Sequence, residues 1–347
     1  MAIPDAPKRT LKVRFATSWN GCNYHCEYCV IGQLDAPQTM KAHRRKQIAR
    51  RLRNLIHPTQ VVASLKHRLR RRTTRDADRG STPAVWDQQA YDRIIDRFAE
   101  LPYALDVRIG VGGETFVNRS VVDGARRLSH HDNTVAVNLI TNLSFDYSRI
   151  QALLDGFDLS RVAVVASYHP TQIRDVRQWL DTAARLQTEV DLAVVLVAWP
   201  PLLSSLRATR QRLLDAGLDV FIQAFQGWHA GRKYPEAYSA AERRLLRELF
   251  YSPYDFDYMV ELKKPGLCYA GVDYVYVDIR GDVYRCGTYQ KLIGNVFDGF
   301  QLDRTPQPCP GDQCWCDTEN LNTKEFRDHY RLVGLNQHKY VERAGMD

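Results

Sequence analysis

The sequence predicts an α/β fold: a partial barrel of six strand–helix units, followed by a small cysteine-rich β-hairpin domain. Three observations carry this. Apolar runs rich in β-branched residues alternate with helical patterns, which argues for repeated βα units. Two of the runs, Val162-Ala-Val-Val-Ala166 and Leu192-Ala-Val-Val-Leu-Val197, are apolar on both faces, like parallel strands covered by helices. Beyond residue 262 the rhythm gives way to a hairpin pattern with a cysteine on each side.

The predicted strands are 11–17, 105–111, 135–141, 161–167, 191–199 and 219–225, and the predicted helices between and after them are 87–100, 119–130, 147–155, 173–187, 204–216 and 239–250. Between the first strand and the first of these helices lies an insert, 33–85. There Ile48, Leu52, Leu55, Val62, Leu65 and Leu69 keep helical spacing among arginines, with Pro58 between two segments. The pattern predicts two basic amphipathic helices. Tyr274-Val-Tyr-Val-Asp-Ile279, the turn Arg280-Gly-Asp282 and Val283-Tyr284 predict the β-hairpin. The expected domains are 1–255, carrying the insert, and 256–347.

Composition narrows the function. Among 347 residues, 44% are apolar and 25% charged, which excludes a mainly disordered or fibrous chain. The longest apolar run, Leu192 to Leu203, is too short to cross a membrane and contains Pro200 and Pro201. No apolar signal core opens the chain, so a cytoplasmic location is expected. The net charge of +8 is local: residues 41–75 hold 13 Lys or Arg and no acid. Such a block suits an anionic partner, among them a nucleotide, a phosphorylated small molecule, RNA or a membrane surface. Its plainer explanation is a solvated helix pair.

The eight cysteines are 22, 26, 29, 268, 286, 309, 314 and 316. Clustered thiols in a reducing compartment point to metal rather than to disulfides. Cys22-Asn-Tyr-His-Cys26-Glu-Tyr-Cys29 follows the first strand directly. Three thiolates on one short loop suit three irons of a cubane, leaving one iron open to a small molecule. A zinc loop closed by His25 is the competing explanation.

This C-x3-C-x-aromatic-C loop resembles that of the radical SAM superfamily. The resemblance implies a SAM-binding [4Fe-4S] cluster held by Cys22, Cys26 and Cys29. S-adenosyl-L-methionine (AdoMet) would chelate the open iron, and a 5′-deoxyadenosyl radical would follow from its reductive cleavage. It places Tyr28 against the adenine. Gly112-Gly113-Glu114, after the second strand, resembles the family's GGE motif, which binds the methionine ammonium; the family's usual Pro after the Glu is Thr115 here. Asn142 and Ser167, at the next two strand ends, become candidates for the AdoMet ribose or carboxylate. The alternative for both is capping the helices that follow. His169, Trp199, Gln223, Gln226, Trp228, His229 and Tyr234 are substrate-pocket candidates by position alone.

Cys268, the hairpin and Gly281-x4-Cys286 resemble the opening of SPASM and Twitch domains, which carry auxiliary clusters. Cys309-Pro-Gly-Asp-Gln-Cys314-Trp-Cys316 departs from the SPASM C-x2-C spacing. One auxiliary [4Fe-4S] cluster is therefore expected, on four of the five C-terminal cysteines, with a structural zinc site as the alternative. The implied activity is a radical SAM oxidoreductase acting on a small anionic or carbohydrate-like metabolite, with the auxiliary cluster as electron acceptor and a flavodoxin- or ferredoxin-type reductant. Two rivals are a radical SAM peptide or protein maturase and a zinc-stabilised nucleic-acid-binding protein.

Overall fold

The computed structural model describes residues 9–16, 21–29, 86–110, 112–311, 314, 322–332, 334–336 and 340–342. The predicted basic helices of 33–85 and Cys316 lie outside the described residues. All six predicted βα units are present. β1 (Thr10–Ala16) is followed by α1 (Gln88–Phe98), β2 (Ala104–Ile109), α2 (Arg119–Ser129), β3 (Thr134–Thr141), α3 (Tyr147–Leu154) and β4 (Val162–Tyr168). Then come α4 (Val176–Leu186), β5 (Asp191–Ala198), α5 (Leu203–Asp215), β6 (Val220–Ala224), the short strands β7 (Gly227–His229) and β8 (Arg232–Tyr234), and α6 (Ala240–Leu249). The remainder is α7 (Pro253–Met259), β9 (Leu267–Cys268), β10 (Tyr274–Asp278), β11 (Asp282–Tyr284), β12 (Leu292–Asn295), β13 (Gly299–Phe300), β14 (Gln307–Pro308), α8 (Lys324–His329), β15 (Tyr330–Leu332) and β16 (Tyr340–Glu342).

Most helices start where a short polar side chain satisfies their first N–H groups. Asp87 caps α1, Asn118 caps α2, Asp146 caps α3 and Asp175 caps α4. Ser239 and Glu242 form a reciprocal capping box on α6. The caps on α3 and α4 are thus not Asn142 and Ser167. The expected start of α4 at 173 moves to 176 because Asp175 supplies the cap.

One sheet of ten strands runs β13-β12-β11-β10-β1-β2-β3-β4-β5-β6. β1 to β6 are mutually parallel and in sequence order, as successive βα units require. The sheet does not close: β6 and β13 are its two edges. The predicted hairpin does not stand apart. β10 lies parallel to β1, pairing Arg14 with Tyr276 and Ala16 with Asp278, so the cysteine-rich segment continues the main sheet.

Alternation gives the sheet two unlike faces. Leu11, Val13 and Phe15 of β1 join the main core, where the Phe15 ring stacks on Tyr91 of α1 at 5.5 Å. The opposite, inner face carries Lys12 and Arg14 on β1, Asp106 and Arg108 on β2, Asn138 on β3 and Phe221 on β6. The tail covers the inner face toward the N-terminal ends of the strands. Phe326 of α8 packs on Phe221, Tyr254 and Tyr330, and Arg327 makes a two-pronged ion pair with Asp273 at 2.7 Å per contact. The fully buried Asn336 donates to the Val164 carbonyl at 2.9 Å. The C-terminal ends of the strands are where the first cysteine loop lies.

Candidate active site

The loop 21–29 is tied to the end of β2 by backbone. The Glu114 N–H donates to the Gly21 carbonyl at 2.8 Å. Gly113 has φ 117°, a conformation that glycine adopts without steric cost. Glu114 itself is buried at 2% exposure. Its Oε1 accepts from Thr141 Oγ1 at 2.6 Å and from the Phe116 N–H at 3.1 Å, and its Oε2 from the Asn142 N–H at 2.6 Å. Burial pushes its carboxyl up to about 7, against the pull of these three donors. Glu114 therefore clamps the ends of β2 and β3 together, directly behind the cysteine loop.

Asn142 completes the contact. Its Nδ2 donates to Asn23 Oδ1 at 3.0 Å and lies 3.9 Å from Cys22 Sγ. Its Oδ1 accepts from the Ser144 N–H at 3.0 Å, a local turn in place of a helix cap. Tyr28 is buried, with its hydroxyl 3.2 Å from His169 Nδ1 and its ring 5.0 Å from that of Trp199. Trp199 in turn meets His229 edge-on at 5.5 Å. Burial lowers His169 to about 4, so its ring is neutral near pH 7. Ser167 is the penultimate residue of β4, in register with Val195. The structure thus brings Cys22, Asn142, Glu114 and the Gly113 turn together and sets Tyr28 in an aromatic row with His169 and Trp199.

Cys22 and Cys29 are exposed and Cys26 is half-buried, and none forms a disulfide. Burial pushes the Cys26 thiol up to about 12, and the charges of Cys29 and Cys22 add to it. Burial raises Cys22 as well. A loop that resists bare thiolates in this way favours them once a cation is bound. No three His, Cys, Asp or Glu side chains among the described residues gather closely enough to share one metal ion. A cubane takes one thiolate per iron and does not ask for that.

The C-terminal cysteines meet in a second place. Cys268, Cys286, Cys309 and Cys314 line one cavity of about 50 Å³, together with Arg285 and Thr323. β9 and β14 pair antiparallel, setting Cys268 opposite Gln307, and the Cys309 N–H donates to the Gly266 carbonyl at 3.0 Å. Two backbone N–H groups point at sulfur: Ala270 to Cys268 Sγ at 3.4 Å and Tyr289 to Cys286 Sγ at 3.2 Å. Such donors stabilise thiolates.

Arg285 is the residue that sequence reasoning missed here. Its guanidinium donates to the carbonyls of Ala270 at 2.7 Å, Gln307 at 2.9 Å, Pro308 at 3.1 Å and Cys268 at 3.4 Å. It is 7% exposed and also faces Asp303 at 3.6 Å. One side chain thus ties the backbones that carry Cys268, Cys286 and Cys309. An arginine next to a cysteine gives no sequence signal of this.

No family model matches the chain, and no curated protein matches it. Solved structures resemble it. One is anSMEcpe with bound AdoMet, 15% identical, with a TM-score of 0.48 over 92% of this chain and 79% of that one. Another is Streptococcus suis SuiB bound to S-adenosylmethionine, 13% identical, with a TM-score of 0.44 over 84% of this chain and 64% of that one. A third is BtrN in complex with AdoMet and 2-DOIA, 12% identical, with a TM-score of 0.40 over 85% of this chain and 81% of that one.

Proposed function

We propose that this chain is a radical SAM enzyme with a second, auxiliary iron–sulfur site, and that it oxidises a small anionic or carbohydrate-like metabolite. The observation that carries it is the joint between two motifs: the Glu114 N–H on the Gly21 carbonyl, with Asn142 reaching back to Cys22 and Asn23. A cysteine loop and a Gly-Gly-Glu turn far apart in the sequence form one surface at the C-terminal edge of a parallel sheet, where α/β folds place their ligands.

Cys22, Cys26 and Cys29 hold the first cluster. When bound, the cluster and AdoMet together supply a 5′-deoxyadenosyl radical that takes a hydrogen atom from the substrate. Glu114 fixes the strand ends that present Gly113 and Asn142 toward AdoMet. Tyr28, His169 and Trp199 form an apolar wall beside the loop, which keeps water from a reactive radical. Cys268, Cys286, Cys309 and Cys314 hold the auxiliary site. A cluster held by these four thiolates would supply a one-electron acceptor.

Among the described residues no helix is long and apolar enough to cross a membrane. The described cysteines form no disulfide, which fits a reducing compartment, and we place the enzyme in the cytoplasm with a flavodoxin- or ferredoxin-type reductant. The test is iron, sulfide and zinc per chain after anaerobic reconstitution, followed by a 5′-deoxyadenosine assay under reducing conditions. About eight irons per chain, by two-cubane stoichiometry, and deoxyadenosine formation are expected. Zinc without iron overturns the proposal in favour of a zinc-stabilised protein.

A further inference from the structure

Every polar group of Asn142 has a partner within the protein. Its N–H donates to Glu114 Oε2 at 2.6 Å, and its carbonyl accepts from Trp179 Nε1 of α4 at 3.0 Å. The Ser144 N–H donates to its Oδ1 at 3.0 Å. A backbone N–H can only donate, so this contact fixes which end of the amide is oxygen. Nδ2 then faces the cysteine loop, where it donates to Asn23 Oδ1 at 3.0 Å and to Cys22 Sγ at 3.9 Å. With Asn23 Oδ1 so used, Asn23 Nδ2 donates to Ser144 Oγ at 2.7 Å. Asn142, Asn23 and Ser144 thus close a ring in which both amide orientations follow from one backbone N–H.

The ring sits on a strained turn. Leu143, between Asn142 and Ser144, has φ 47° and is 2% exposed. That left-handed conformation disfavours a bulky side chain. Strain of this kind persists where the surroundings over-determine the backbone, and it gathers at functional sites. Here the Leu143 N–H donates to Thr141 Oγ1 at 3.0 Å, and Thr141 Oγ1 donates to Glu114 Oε1 at 2.6 Å.

Both hydrogens of the Asn142 amide are spent on the cysteine loop. The Tyr24 N–H also reaches the Cys22 sulfur, but it belongs to the loop itself. Asn142 is a donor that comes from the sheet. An N–H aimed at a thiolate sulfur offsets negative charge there. It therefore favours the reduced, more negative state of a cluster that the sulfur holds.

We propose that Asn142 is a positioning residue of the first cluster: held by Asn23 and Ser144, its amide donates to the Cys22 sulfur and makes that cluster easier to reduce. The proposal rests on the proposed function for the cluster itself. Reduction of the cluster adds one electron from an external donor, breaks no bond and moves no proton. The demand on the protein is to stabilise the added charge, and a donor already in place does so without reorganising.

The test is a potentiometric titration of the anaerobically reconstituted full-length chain, without AdoMet, with dithionite as reductant and electron paramagnetic resonance as readout. The first cluster is the one whose signal AdoMet changes in a parallel sample, and the second site is the internal reference. In Asn142→Ala the equilibrium constant for reducing the first cluster should fall about tenfold, or about 59 mV for one electron, the worth of one hydrogen bond to a charged group. The second site should not move. The sign discriminates, because greater solvent exposure at the trimmed position acts toward a higher potential and loss of the N–H toward a lower one. Asn23→Ala, at an exposed position, removes the anchor of the amide and should lower the potential less. Gln172 Oε1 accepts from the His25 N–H at 3.2 Å elsewhere on the loop, and Gln172→Ala should leave the potential where it is.

An unmoved first-cluster potential in Asn142→Ala overturns the proposal. An equal fall in Gln172→Ala also overturns it and assigns the effect to the loop as a whole. Should Asn142→Ala fail to hold iron, Asn23→Ala decides: a lowered potential supports the proposal, and an unmoved one counts against it. AdoMet affinity separates the other role open to this residue. A dissociation constant raised several-fold with the potential unmoved assigns the amide to AdoMet and overturns its role toward Cys22. Failure of the radical reading looks different. Zinc without iron in the native chain removes both proposals. A native chain that holds iron and forms 5′-deoxyadenosine, beside an Asn142→Ala variant of unmoved potential, removes this one alone.

Discussion

Cys22, Cys26 and Cys29 share one short loop, whereas Cys268, Cys286, Cys309 and Cys314 come from separate strands and turns that meet around a cavity. The first group is local in sequence. It meets the rest of the fold through the Glu114 and Asn142 contacts and through the Tyr28 ring against His169 and Trp199. The second group is assembled by tertiary structure, with the buried Arg285 joining its segments. A local site should lose its metal without losing the fold. An assembled one should lose both together.

The largest expected effect tests the local half of that contrast. Cys26→Ala should abolish 5′-deoxyadenosine formation and remove roughly half of the iron, by the stoichiometry of two cubanes. Its Tm should stay within a few degrees of the native value, because the change removes one half-buried thiol and leaves the Tyr28 ring in the core. Deoxyadenosine formed at the native rate would sink the assignment. A collapse of Tm would show that the loop is part of the folding core rather than a local attachment.

The next effect tests the assembled half. Arg285→Met removes the donor from four carbonyls at once, of which those of Ala270 and Cys268 are buried away from water. Buried groups left without partners cost about 1–3 kcal/mol each and do not add simply, so a loss of about 3 kcal/mol or more is expected in denaturant unfolding. Iron at the second site should fall with it, while the first site keeps its iron. Arg285→Lys should recover only part of the stability, since an ammonium does not reproduce the fork. Full recovery by lysine would mean that charge alone, and not the four carbonyl contacts, holds the segments.

The same division decides what was legible in the sequence. The six βα units were readable because each is a local pattern of apolar period and cap, and strand limits moved by at most two residues. The Cys22–Cys29 loop and the Gly-Gly-Glu turn were readable for the same reason. Long-range pairing was not. Nothing in Tyr274-Val-Tyr-Val says that this strand lies beside β1, and nothing beside Cys286 says that Arg285 reaches four carbonyls. The hairpin of β7 and β8 had a turn signal in Ala230-Gly231, but its strands are short and polar and lack a two-residue alternation. That Lys12, Arg14, Asp106 and Arg108 share the inner face needed the register of β1 on β2, although the alternation in Leu11-Lys-Val-Arg-Phe15 already showed that one face of that strand is charged. α8 has only six residues, too few for a helical period to show.

A smaller effect probes packing around the assembled site. A Cβ built on Gly311 would lie 1.7 Å from Tyr289 Cζ, so the Tyr289 ring must move in Gly311→Ala. The Tyr289 N–H donates to Cys286 Sγ, so a ring displaced far enough to pull on its backbone would disturb that sulfur. Because the atoms met are the far end of a half-buried side chain that can rotate away, the cost is expected to be at the low end of overpacking, about 1 kcal/mol. The Tm should fall accordingly, and the electron paramagnetic resonance of the second site should change while that of the first does not. An unchanged spectrum would mean that Cys286 is held independently of Tyr289.

The last effect concerns the wall beside the local site and is one of pH, seen only in acid. Burial lowers His169 to about 4 from an ordinary value of 6.5. The folded state therefore binds this proton less readily than the unfolded state. The contribution is present above pH 6.5 and is lost as pH falls toward 4. His169→Phe keeps an aromatic ring against Tyr28 but has no proton to gain. The native chain should therefore lose stability relative to His169→Phe between pH 6.5 and 4, with no divergence between pH 7 and 8. Nuclear magnetic resonance of the His169 ring gives the direct check, with a midpoint expected near 4. A midpoint near 6.5 would mean that water reaches this wall, and the dry surface proposed beside the cysteine loop would go with it.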